Sequence, residues 1–165
     1  MTLILVAVVL VAVLTMASGA ISSLDMISMT WKQMEGQMAE RNRTGIDCVN
    51  VSATDTHLEI VVSNDGHVSL CGFDSWDVIV EYDDAGDEHH ARWLSYVPSS
   101  PGDNEWAVES ICFQGDAETI EPGVLNCGEE MQIVAVPFPA LGAGTTYMIT
   151  VSTPSGVTSQ MVARR

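Results

Sequence analysis

Two hydrophobic rhythms divide the chain. Residues 2–24, TLILVAVVLVAVLTMASGAISSL, are nearly all apolar or small, and the first charge of any kind is Asp25. About 20 apolar residues suffice to cross a bilayer as a helix. Beyond Asp25 the apolar positions thin to a stripe. Leu3, Val6, Leu10, Val13, Ala17, Ala20, Leu24, Ile27, Trp31, Met34 and Met38 step by alternating threes and fours. That spacing is a heptad-type seam. Beyond Asp25 polar residues fill most of the positions between: Ser28, Lys32, Gln33, Glu35, Gln37, Glu40. The pattern predicts one helix from residue 2 to about 41, roughly 60 Å long at 1.5 Å per residue. Gly36 costs about 1 kcal/mol against alanine without ending it.

After Arg43-Thr44-Gly45 the rhythm changes to period two. Residues 46–53, 57–63, 67–71, 76–82, 89–97, 105–113, 130–137, 146–152 and 157–163 read as short strands. Asn64-Asp65-Gly66 reads as a hairpin turn between the second and third. The loop 83–87 reads as the tip of another hairpin, and Glu121-Pro122-Gly123 and Thr153-Pro154-Ser155-Gly156 as further turns. The predicted fold class is α+β: a long N-terminal hydrophobic α-helix (1–44), then an antiparallel β-sandwich head (45–165), Ig-like or pilin-like.

The helix carries a second signal. Ala17, Ser18, Gly19, Ala20, Ser22 and Ser23 are small and clustered. Small residues let apolar helices approach closely where hydrophobicity cannot discriminate lipid from partner helix. Charge narrows the partners: 22 acidic residues against 6 basic give a net of −16. Nucleic acid is excluded by repulsion from its phosphates, and anionic headgroups are disfavoured.

Four cysteines, Cys48, Cys71, Cys112 and Cys127, form no C-x-x-C pair. In an exported chain an even count predicts two disulfides, with Cys48–Cys71 and Cys112–Cys127 favoured over the other pairings. Four buried free thiols are the alternative. Sequons at Asn42 and Asn50 predict glycosylation where the chain leaves the helix. No nucleophile elbow, zincin helix, P-loop or dinucleotide fingerprint is present, so an enzyme is not expected and no cofactor is required. One loop gathers Asp83, Asp84 and Asp87 beside Glu88, His89 and His90. Oxygen donors grouped this way predict either a Ca²⁺ site or a solvated hairpin tip.

This order of parts resembles the type IV pilin superfamily and, within it, the archaeal flagellins, or archaellins. The likeness covers the whole chain. It rests on the apolar start MTLILVAVVLVAVLTMASGAI and on Asn64-Asp65-Gly66 before a short strand. It rests also on Glu121-Pro122-Gly123, Gly128-Glu129-Glu130, Tyr147-Met148-Ile149-Thr150-Val151 and the Thr153–Val157 turn. Many bacterial type IV pilins carry glutamate at mature position 5; Leu5 stands here, as in archaellins. The start, with no Lys or Arg before the apolar run, is expected to be the end left when a prepilin-type peptidase removes a basic leader.

The resemblance implies a subunit inserted in the cytoplasmic membrane before assembly. An assembly ATPase then draws its helix into a homopolymeric, extracellular motility filament of archaellum type. The residues expected to pack the filament core are the seam positions above together with Gly19. Two alternatives share parts of the plan. One is a non-polymerising accessory protein of the envelope that fixes the motor or binds the surface layer. The other is a secreted β-sandwich binding module whose first 20 residues are a signal ending at Ser18-Gly19-Ala20.

Overall fold

The computed structural model describes the backbone of residues 2–165 and the side chains of Leu10, Met16 and residues 23–165. The chain divides into two compact units, Met1–Glu40 and Arg41–Arg165. The first is the body of one α-helix, α1, that runs Thr2–Arg43 without a break, 42 residues in all. Two arginines, Arg41 and Arg43, stand in its last turn, where positive charge favours the carbonyl end of the helix dipole. Among the described residues no helix is long and apolar enough to cross a membrane. The side chains of the apolar run 2–24 lie almost wholly outside those described, as do the seam positions Leu3, Val6, Val13, Ala17, Gly19 and Ala20.

The second unit is all β. Its strands are β1 Asp47–Ala53, β2 Leu58–Ser63, β3 Asp77–Asp83, β4 His89–Tyr96, β5 Glu105–Phe113, β6 Asp116–Ala117, β7 Glu130–Val136, β8 Thr146–Ser152 and β9 Thr158–Arg164. Strict alternation builds them. In β2, β3, β7 and β8 every second residue is buried, so one face of each strand meets the core. Ile60, Val62, Val78, Val80, Leu94, Trp106, Ile133 and Ile149 are fully buried there. Each such side chain contributes about 1.5–3 kcal/mol relative to exposure.

The strands follow the order β1-β2-β7-β5-β4-β3-β8-β9, with β6 on the side of β5. One layer is β1-β2-β7-β5 and the other β4-β3-β8-β9. Bulges in β1, between Cys48 and Asn50, and in β5, between Val108 and Ser110, bend the first layer. The layers meet again at the far side, where the Cys48 N–H donates to the Ser159 hydroxyl at 2.9 Å. The sandwich is thus nearly closed, which leaves little free strand edge.

Three expectations are corrected. The sheet is not purely antiparallel: β4 and β5 pair parallel at Ser95–Glu105 and Tyr96–Trp106. This short stitch holds the layers together where Tyr96 and Trp106 also meet edge to face, centroids 4.9 Å apart. Residues 67–71 are not a strand. Only Leu70 pairs, as an isolated bridge to Leu125, because the segment winds around a buried side chain, Asn64. Finally, all four cysteines are free thiols, so neither Cys48–Cys71 nor Cys112–Cys127 is formed. Cys48 turns into the core of β1 while Cys71 and Cys127 face solvent.

Candidate functional site

Three features of the surface are candidates for function. The first is the seam. Every described side chain of residues 23–43 is exposed. Leu24, Ile27, Trp31, Met34 and Met38, spaced three and four apart, fall on one stripe of α1 and retain 65, 52, 67, 44 and 59 % of their accessible surface. Leu10 and Met16 are exposed as well. A run of large apolar side chains left in water at helical spacing marks an interaction surface.

The second is the junction where the helix ends, within the unit Arg41–Arg165. The Arg43 carbonyl accepts the His67 N–H at 2.7 Å, which satisfies one of the orphan carbonyls of the last turn. Beside it the backbones of Gly45 and Gly66 press together. A methyl at Gly66 would sit 2.7 Å from the Arg43 carbonyl and closer still to the Gly45 nitrogen; one at Gly45 would sit 2.8 Å from the Gly66 nitrogen. Only glycine fits at both positions.

Asn64 holds this arrangement. It is fully buried, and its side-chain amide donates to the Val68 and Leu125 carbonyls, both at 2.9 Å. Its amide oxygen accepts the Gly66 N–H at 3.1 Å. Its own N–H and carbonyl are bonded to Glu129 and Gly128. Asn64-Asp65-Gly66 is therefore not a hairpin turn but the fastening of a loop. Burial of Asn64 is the feature that sequence reasoning missed; three of its five hydrogen bonds, to Leu125, Gly128 and Glu129, reach positions more than 60 residues away and have no local signature.

The third is the tip of the β3–β4 hairpin. A turn over 84–87 closes it, with the Asp84 N–H donating to the Glu88 carbonyl and the Asp87 N–H to the Asp84 carbonyl. Asp87 takes a left-handed φ of 60° there, which aspartate tolerates better than most residues. One Asp84 oxygen, Oδ1, accepts the Gly86 and Glu88 N–H groups at 2.7 and 3.0 Å. The other, Oδ2, lies 3.1 Å from His90 Nε2. The Glu88 N–H first, then His90 and the Gly86 N–H, hold the Asp84 carboxyl below its ordinary range.

Of the expected metal ligands Asp83, Asp84 and Asp87, only Asp84 joins a cluster. Its companions are Glu88 and His90, with donor atoms of all three within 4.8 Å of one another. Asp83 pairs instead with His89 Nδ1, at 2.9 Å, on the exposed side of the ladder. The sequons also differ from each other. Asn42 and Asn50 are both exposed, but Thr44 of the first is buried while Ser52 of the second is open.

No protein-family model matches the chain, and no curated protein matches it in sequence. Solved structures do match in shape. The archaellum periplasmic stator protein FlaG from Sulfolobus acidocaldarius superposes with a TM-score of 0.53 at 18% identity, over 73% of this chain and 99% of that one. The archaeal flagellin FlaB1 from Methanocaldococcus jannaschii gives 0.55 at 11% identity, over 73% and 89%. The archaeal flagellum of Methanospirillum hungatei gives 0.58 at 12% identity, over 98% and 88%.

The fold is archaellin-like. At these identities the likeness speaks for architecture alone. The flagellum match, at 98% of the chain, takes in the helix as well as the sandwich. The stator and FlaB1 matches leave about a quarter of this chain uncovered, compatible with a likeness of heads. The archaellin-like sandwich of this chain departs from a simple strand meander at the Asn64 loop and at the parallel β4–β5 stitch.

Proposed function

We propose that this chain is a structural subunit that polymerises through α1 into an extracellular, archaellum-type filament. The observation that carries the reading is the uncovered apolar stripe Leu24–Met38 on an unbroken helix, joined to a head whose fold matches archaellar proteins. A head that closes its own core needs no partner to fold. The stripe does need one, because large apolar side chains at roughly half of full exposure are costly in water.

In this reading the apolar start holds the subunit in the cytoplasmic membrane until a prepilin-type peptidase removes a leader. An assembly ATPase then transfers the helix from lipid into a bundle of its copies. Apolar area leaving lipid must be re-covered: at about 25 cal/mol per Å², net exposure of a few hundred Å² would forbid the transfer. The small residues Ala17, Gly19 and Ala20 supply close approach. Glycans at Asn50, and at Asn42 to a lesser degree, lie among the acidic heads in the outer sheath. The role is mechanical rather than catalytic.

A second reading keeps the same parts. The likeness to FlaG, a periplasmic stator protein, and to the stator complex FlaF and FlaG, at a TM-score of 0.52, supports an envelope-anchored accessory subunit that does not polymerise. Electron microscopy of the purified full chain separates the two. Regular filaments that retain residues 1–24 support the first. Discrete particles of one or a few copies under all assembly conditions would replace it with the second. Gly19→Leu and Ala20→Leu sharpen the outcome, since filaments that assemble normally with either would remove close helix packing from the mechanism.

A further inference from the structure

We propose that the β3–β4 hairpin tip binds a single divalent transition-metal ion of the zinc class through Asp84, Glu88 and His90. The nitrogen donor separates this group from the many surface carboxylates of an acidic chain. Asp84 and His90 are largely shielded, at 19 and 11 % side-chain exposure, and Oδ2 and Nε2 already face each other at 3.1 Å. The His90 ring is packed against Tyr82, centroids 5.5 Å apart. Asp84 is held from behind, because Oδ1 is committed to two backbone N–H groups of the turn. That leaves Oδ2 free to turn toward an ion, the outer-shell orientation that metal ligands require.

The spacing fits. Zinc takes histidine nitrogen at about 2.0–2.1 Å and carboxylate oxygen at about 2.0–2.2 Å, so two donors of a tetrahedral shell stand about 3.4 Å apart. Donor atoms within 4.8 Å of one another reach that spacing when the exposed Glu88 side chain swings in by about 1–1.5 Å. Two carboxylates balance the ion's charge, and three protein ligands leave a fourth position to water. On binding, His90 Nε2 exchanges its contact with Asp84 for the ion and carries its proton on Nδ1. Calcium is disfavoured: it seeks about 6–8 oxygen ligands, whereas one of the three donors here is nitrogen. The ion would tie the end of β3 to β4 beside the turn, next to the Asp83–His89 pair.

The test uses the full chain in detergent, stripped with chelator and titrated with Co²⁺ as a visible probe, then with Zn²⁺ and Ca²⁺ as competitors. One Co²⁺ per chain is expected, with ligand-field bands and no thiolate charge-transfer band. Zn²⁺ should displace it one for one and Ca²⁺ should not. Glu88→Gln and His90→Gln should each weaken Zn²⁺ binding by about 10-fold or more. Glu88 is exposed, so its variant keeps the head folded and decides the matter even if His90→Gln does not fold. Absence of saturable binding, a charge-transfer band placing the ion on Cys71 or Cys127, displacement by Ca²⁺, or an affinity unchanged in Glu88→Gln would each overturn the site.

Discussion

Trp31 and Trp106 are the same residue under opposite conditions. Trp31 sits on α1 with 67 % of its surface in water, while Trp106 sits on β5 with none. The contrast extends to their surroundings. In the head, Val78, Val80, Leu94 and Ile149 are covered by their own chain. On the helix, Leu24, Ile27, Met34 and Met38 keep 65, 52, 44 and 59 % of their surface in water. Two layers of sheet can bury their inner faces against each other, but a single helix has no second surface. The head is therefore a finished folding unit, and the helix is an apolar surface awaiting a partner.

The sharpest way to break this comparison is to truncate both tryptophans. Trp106→Ala should lower head stability by about 3–5 kcal/mol, read as a shifted urea midpoint by circular dichroism of the β signal. Trp31→Ala should change that midpoint by no more than about 0.5 kcal/mol yet abolish or shorten filaments under the microscope. Equal effects on head unfolding would mean that the stripe is part of the folding core after all.

Asn64→Leu comes next. Its side chain is of similar size, but the substitution strands the buried Leu125 carbonyl and the half-buried Val68 carbonyl and Gly66 N–H. Each unsatisfied group costs about 1–3 kcal/mol, so a total loss of about 3 kcal/mol in thermal or chemical denaturation is expected. A smaller effect, about 1–3 kcal/mol, is expected for Gly66→Ala, whose methyl meets backbone at Arg43 and Gly45 rather than a yielding side chain. Amide exchange should localise that damage to the His67 N–H and its neighbours.

The mildest test is chemical. Burial pushes the Cys48 thiol up from its ordinary range, with Asp47 adding to the effect and the Ser159 hydrogen bond opposing it. Cys71 and Cys127 are exposed, so an alkylating reagent at neutral pH should label them in the native protein and reach Cys48 only on unfolding. The sign follows for stability. The native state holds the Cys48 proton more tightly than the unfolded chain, so this group's contribution is intact below the ordinary thiol value of about 8.5 and declines as pH rises through the native one. Rapid native labelling of Cys48 would show that β1 opens readily.

Much of the architecture was legible before any coordinates. Period-two alternation placed β3, β5 and β8 to within a residue or so, because a strand that buries one face must alternate. The helix was legible from its three-four stepping for the same kind of reason. What escaped was non-local. The two-residue strand β6 is too short to show a period. Residues 67–71 alternate well enough to pass for a strand, but Asn64 recruits the neighbouring carbonyls and leaves Leu70 a lone bridge. The Asp84–Glu88–His90 cluster was half legible: the loop was visible, but which of its six candidate ligands converge depends on the pleat, which sends Asp83 with His89 to one side and Asp84 toward His90.

The amino-acid order alone determined where helix ends and sheet begins, which strand residues face inward, and that an apolar stripe runs on past the lipid-like segment. These are consequences of local periodicity. Only the tertiary structure decided that Cys48 is buried while Cys71 is exposed, that β4 and β5 run parallel for two residues, that Asn64 locks the exit of the helix, and that Glu88 and His90 join Asp84. Each of those depends on contacts between residues far apart in the chain or on the twist of a sheet, and no short-range pattern encodes them.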